Sequence, residues 1–206
     1  MNVETNKSNL SVVFDFGGVV LDWNPRHLYA SYFSNEQGLE WFLASPFREF
    51  NEALDSGMSY DLALAACRHP DNLRHLKIYV DDFPLSFQGE IQGSVQIIED
   101  LKKSNVSLFG LTNWSKYTFP WALKEFPSLQ LFDQIVVSGF EGVRKPFAEI
   151  YKIAEKKFNR KPSELIFFFY CQENVDGANA RGWKAHLFRS PEETRSILER
   201  YFDTAN

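Results

Sequence analysis

Ser11-Val12-Val13-Phe14-Asp15-Phe16-Gly17-Gly18-Val19-Val20 is the stretch that decides the fold. An apolar, largely β-branched run ends in one carboxylate, and two glycines follow. Continuous rather than alternating hydrophobicity marks a strand buried on both faces, as in a parallel sheet. Such a strand carries Asp15 to its C-terminal tip, where open α/β sheets bind ligands. Gly17 and Gly18 let backbone N–H groups approach whatever Asp15 faces. The arrangement suits a carboxylate nucleophile that attacks a phosphorus or carbon centre. It also reads as a plain strand end with a glycine turn.

Further continuous apolar runs lie at 106–112, 134–138, 165–170 and 185–188. Helical periodicity separates them at 93–104 and 146–158, with Pro146 suited to a first helical turn. Ser190-Pro191-Glu192-Glu193 has the form of a capping box and starts a terminal helix that runs to about Phe202. Strands alternating with helices predict an α/β protein with a doubly wound, Rossmann-like parallel sheet. Residues 23–92 break this rhythm. They contain no convincing strand, and helix-like patterns occur at 27–33, 38–43, 60–67 and 72–80. The expected organisation is a core of 1–22 plus 93–206 with an inserted, all-helical cap at 23–92. A run of ordinary packing helices is the alternative.

Composition narrows the function classes. The chain has 206 residues, 44% of them hydrophobic, which suits one sizeable globular domain. Its net charge of -5, without a basic tract, argues against nucleic acid and anionic membrane as partners. Cys67 and Cys171 lie far apart and lack the spacing of a metal knuckle or redox pair. Residues 1–10 are polar, and no run approaches a membrane span. A cytoplasmic location is expected.

Four segments meet at one sheet edge in this arrangement. Asp15 ends the first strand. Thr112 and Asn113 end the second, where a hydroxyl and a backbone N–H can donate to an anionic oxygen. Arg144 and Lys145 precede a helix, where a cation close to the N-terminal dipole suits phosphate. The last strand runs through Phe169-Tyr170-Cys171-Gln172-Glu173-Asn174 into another helix. Each piece has a plainer alternative: Thr112-Asn113 as a helix cap, Lys145 as a solvated surface lysine. Their order and spacing carry the information.

The segments VVFDFGGVVLDWNPRHLY, LTNWSKYTFP, VVSGFEGVRKP and ENVDGANARGW resemble the haloacid dehalogenase (HAD) superfamily. The similarity is to its small helical-cap subgroup of phosphatase-like and 2-haloacid-dehalogenase-like hydrolases. It spans nearly the whole chain, from about Ser11 to Arg189. It implies a HAD-like core with Asp15 as nucleophile. Thr112 and the N–H of Asn113 would hold the transferred group, and Lys145 would orient Asp15 and offset charge. Substrate-binding roles are expected for Phe16, Gly17, Asn113, Trp114, Trp23, Asn24 and Arg26. The expected partner is a small anionic molecule, and the expected assembly is a monomer or homodimer.

Two departures from the family pattern stand out. The proton-transferring Asp two residues after the nucleophile is Gly17 here. Its loss costs about two to four orders of magnitude in rate if nothing replaces it. Mg²⁺ is implied by the family, yet the usual acidic pair of the last motif reads Phe169 and Tyr170. Asp15, the Gly17 carbonyl and a remote Glu173 remain as oxygen ligands for a cation that wants near-octahedral geometry. Weak or absent Mg²⁺ binding is therefore expected. Three readings stay open: a phosphatase-type hydrolase, a catalytically impaired binding or regulatory protein, and a metal-independent 2-haloacid dehalogenase-like hydrolase.

Overall fold

A computed structural model describes residues 9–202; the polar start, 1–8, and the end, 203–206, lie outside the described residues. In chain order the elements begin with strands β1 (Ser11–Phe14) and β2 (Leu21–Trp23). Helices α1 (Pro25–Tyr29), α2 (Glu36–Phe42), α3 (Arg48–Asp55), α4 (Tyr60–Ala65) and α5 (Leu73–Asp81) follow, then β3 (Phe87–Glu90) and α6 (Gln92–Lys103). The second half alternates: β4 (Ser107–Thr112), α7 (Phe119–Glu125), β5 (Gln134–Val137), α8 (Ser138–Glu141), α9 (Ala148–Phe158) and β6 (Leu165–Phe169). It closes with α10 (Gln172–Ala180), β7 (Lys184–Leu187) and α11 (Pro191–Phe202).

The main sheet has five parallel strands in the order β5-β4-β1-β6-β7, so β1 is central. Val12 pairs with Leu108 on one side and Ile166 on the other. Alternation along each strand sends side chains to opposite faces. Val12, Phe14, Leu108, Ile166 and Phe168 enter one apolar core, which continues into the helical insertion. Val13, Phe109, Leu111, Phe167 and Phe169 enter the other, under α9 and α10. Because all five strands run the same way, their C-terminal tips share one edge. Gly110 is required by packing there: a Cβ would lie 2.4 Å from Phe16 Cζ.

The expected doubly wound sheet is present, and three local expectations are corrected. The 23–92 stretch does contain a strand. β3 pairs antiparallel with β2, Leu21 opposite Glu90 and Trp23 opposite Phe87. β3 is short, half-exposed and contains Gly89, so no local pattern announces it. That stretch also holds α3, which the sequence patterns did not mark. A π-helical turn at Leu43–Phe47, containing Pro46, throws the apolar period out of phase just before it. Finally, Pro146 precedes its helix rather than starting it: α9 begins at Ala148. Among the described residues, no helix is long and apolar enough to cross a membrane.

Candidate active site

Adjacent strand tips assemble the site. β1 hands Asp15 to the sheet edge, β4 ends in Thr112, and β6 ends in Phe169. Lys145 reaches in from the segment between α8 and α9. Its Nζ donates to Asp15 Oδ1 at 2.8 Å and also to the Leu111 carbonyl. Lys145 is 0% exposed and Asp15 4%, so the pair is shut away from water. Burial pushes the Asp15 carboxyl up and the Lys145 ammonium down. The ion pair opposes both shifts, and the Phe16 N–H and Thr112 hydroxyl also favour an ionised Asp15.

The segment carrying Lys145 is pinned in place. Its backbone N–H donates to Asn113 Oδ1 at 2.9 Å, and Asn113 Nδ2 donates back to the Lys145 carbonyl at 3.1 Å. The Asn113 amide is therefore spent on positioning Lys145, which leaves its backbone N–H for a ligand. Trp114 is buried; its N–H donates to Ser138 Oγ and its ring lies parallel to Phe87.

The tip of β6 is aromatic. Lys145 Nζ sits 4.1 Å from the Phe169 ring centroid and 5.4 Å from that of Phe167. A desolvated cation over a ring face gains roughly 2 kcal/mol. Phe169 stacks on Tyr170, whose ring lies against Gly18. Gly18 has φ of +72°, a conformation glycine adopts without strain.

A cavity of about 690 Å³ opens over these tips. Trp23, Leu43, Phe47, Tyr79, Phe83 and Trp114 supply its apolar wall. The other side is a polar stripe on α3. Arg48, Asn51, Glu52 and Asp55, at helical spacing i, i+3, i+4 and i+7, all line the cavity. Glu52 accepts from Arg48 Nε at 3.0 Å and from Arg144 at 2.8 Å, which ties α3 to the segment carrying Lys145. Asp55 is 7% exposed and accepts from Asn51 Nδ2 at 3.0 Å. Burial pushes its carboxyl up to about 7, with Asp15 and Glu52 adding to the rise and Arg144 and Lys145 opposing it. Asn174 Oδ1 is buried without a hydrogen-bond partner, and Asn174 also lines the cavity.

The structure sorts the sequence-selected residues. Asp15, Gly17, Trp23, Thr112, Asn113, Trp114, Lys145, Phe169 and Glu173 all line the cavity. Three others do not. The Phe16 side chain is fully buried and packs against Phe119 and Phe132, so only its backbone faces Asp15. Asn24 caps α1 by accepting from the Arg26 N–H. Arg26 pairs with Glu36 and Glu40. The sequence reading did not select Asp55 or Glu52, and it named Arg144 and Asn174 only as members of their motifs, without a site role. The polar i, i+3, i+4, i+7 stripe beside apolar Phe47, Phe50 and Leu54 was the available signal for the first two.

Comparison with known proteins follows the same line. The family model for haloacid dehalogenase-like hydrolases matches residues 12–184. This chain belongs to that family. Among solved HAD structures, an enzyme from Bacteroides thetaiotaomicron superposes with a TM-score of 0.71 at 15% identity, over 92% of this chain and 98% of that one. A dehalogenase superposes at 0.67 and 16% identity, over 92% and 97%. At these identities the likeness concerns the fold. Among curated relatives, the sesquiterpene phosphatase astK of Aspergillus oryzae is 33% identical over 86 residues, 42% of this chain and 44% of that protein. The glyceraldehyde 3-phosphate phosphatase of Pyrococcus furiosus is 39% identical over 59 residues, 28% and 25% respectively. The drimenol cyclase drtB of Aspergillus calidoustus is 26% identical over 108 residues, 52% of this chain and 20% of that protein. The chain thus spans less than half the length of these curated relatives.

Proposed function

We propose that this HAD-like hydrolase is of the phosphatase type and cleaves a small phosphate monoester through a covalent intermediate on Asp15. The observation that carries the reading is the buried 2.8 Å Lys145–Asp15 pair at the floor of the cavity. A carboxylate kept ionised by one cation can attack phosphorus, while that cation offsets charge on the transferred group. Thr112 and the Asn113 N–H are placed at the same edge to hold its oxygens. The helical segment 23–92 acts as a cap over 1–22 plus 93–206 and excludes water. Two of the curated relatives carry phosphatase names, which fits. The apolar wall from Leu43 to Trp114 favours an ester whose organic group is itself apolar.

The residues do not suit Mg²⁺ at the family's position. Among the described residues, no group of three or more His, Cys, Asp or Glu side chains is arranged to hold a metal. Asp15 already serves Lys145, Glu173 is exposed, and the Phe169 ring sits under the lysine ammonium. Beside Asp15, the Gly17 carbonyl and Asn174 Oδ1 offer only neutral oxygens, whereas Mg²⁺ is usually held through carboxylates.

The same ring supports a second reading, in which the chain binds an anion without turning it over and serves a regulatory role. Phosphate release from sugar, alkyl and aryl phosphates, with and without added Mg²⁺, separates the two. Release at least tenfold above an Asp15→Asn variant is expected. Release equal to that variant on every ester leaves the binding reading.

A further inference from the structure

Departure of an alcohol from phosphorus needs a proton on the leaving oxygen. Gly17 has none to give, and Lys145 is committed to Asp15 and the Leu111 carbonyl. The remaining carboxyl and phenol groups that line the cavity are Tyr79, Tyr170, Glu173, Glu52 and Asp55. Burial raises both tyrosines, and the Asp15 and Asp55 charges add to this for Tyr170. Glu52 is held by Arg48 and Arg144. Glu173 is exposed. Asp55 is the buried carboxyl left over, and its helix is fastened to the core on both sides of it. The Glu52–Arg144 bridge lies one turn before Asp55. Just after it, Gly57 packs against Gly139 of α8 so closely that a Cβ would sit 3.0 Å from the Gly139 carbonyl oxygen.

We infer that Asp55, delivered by the cap rather than by the core, is the proton carrier of this site. This inference rests on the phosphatase reading above and extends it. Asp15 attacks phosphorus, the P–O bond to the alcohol breaks, and the electron pair on the departing oxygen takes the proton of Asp55. The Asp55 carboxylate then accepts a proton from the water that attacks the phosphoryl-Asp15. That step releases inorganic phosphate, restores Asp15 and re-protonates Asp55. A carboxyl lifted to about 7 is half protonated at neutral pH and serves both directions. Burial is the main cause of this rise; Asp15 and Glu52 add to it, and Arg144 and Lys145 oppose it. Tyr79 and Tyr170 are coupled to the same charge. Nearby Glu49 and Glu141 are engaged elsewhere, with Arg68 and Lys157.

The test compares an n-alkyl phosphate with p-nitrophenyl phosphate, whose leaving group departs without a proton. With Asp55→Asn, alkyl phosphate turnover should fall by about 100-fold or more. The first burst of nitrophenolate should change less than about fivefold, and Asp55→Glu should recover part of the alkyl rate. Equal losses on both esters would assign Asp55 a structural role and overturn the inference, as would an unchanged alkyl rate. A wild-type chain no faster than Asp15→Asn on either ester would instead remove the phosphatase reading, and this inference with it.

Discussion

Two neighbouring strand tips answer the same lysine in opposite ways. At β1 the Lys145 ammonium meets a carboxylate at 2.8 Å; at β6 it meets the face of a phenyl ring at 4.1 Å. One contact neutralises the charge; the other attracts it through the ring face without neutralising it. Asp15 and Lys145 neutralise each other at a buried cavity floor, and Phe169 adds no further negative charge. A divalent cation placed here would face an ammonium with one shared carboxylate between them, which is electrostatically poor. The pair of tips shows how one buried lysine can hold a carboxylate on one strand and a phenyl ring on the next.

The comparison can be broken most severely at the shared lysine. Lys145→Met leaves Asp15 buried and unpaired, which should cost about 3–5 kcal/mol of stability and abolish phosphate release. Chemical denaturation and the release assay read the two effects, and a stable, active variant would mean that the pairing is incidental.

A milder change sharpens the comparison by extending it to α3. The Asp55 carboxyl stands at about 7 in the folded chain against 3.8 when free. Below 3.8 both states are protonated and folding bears no penalty. As pH rises from there to 7 the unfolded chain ionises first, so stability drains away; above 7 the loss is complete. Asp55→Asn should therefore melt higher than wild type at pH 8, by up to roughly 4 kcal/mol, with the difference vanishing near pH 4. A pH-independent difference in thermal melting would contradict the burial described.

The smallest expected effect is the reverse engineering of β6. Phe169→Asp should strengthen Mg²⁺ binding at least tenfold, about 1.4 kcal/mol, as measured by calorimetry on the folded variant. Unchanged binding would show that the ring is not what keeps the cation out.

How much of this was legible in the sequence varied with range. The β1 tip was readable because a continuous apolar run, a lone Asp and a glycine turn are local facts. The Phe169 substitution was readable for the same reason. Asn24 and Arg26 were expected at the substrate because they open the segment inserted after the first strand. Nearness along the chain does not fix direction: one caps a helix and the other joins two glutamates. Asp55 was missed because the π-helical turn at Leu43–Phe47 shifts the helical phase before α3. β3 was missed because a short strand containing Gly89 acquires meaning only when β2 lies beside it.

The ribbon of β2 and β3 also bears on ancestry. Leu21 and Glu90 face each other across it, so the chain leaves for the insertion and returns through one doorway roughly 5 Å wide. A segment closed off in this way can lengthen, shorten or be exchanged without rethreading the sheet beneath. The ribbon makes the inserted segment a cassette, one that can be replaced while the sheet and its buried Asp15–Lys145 pair stay as they are.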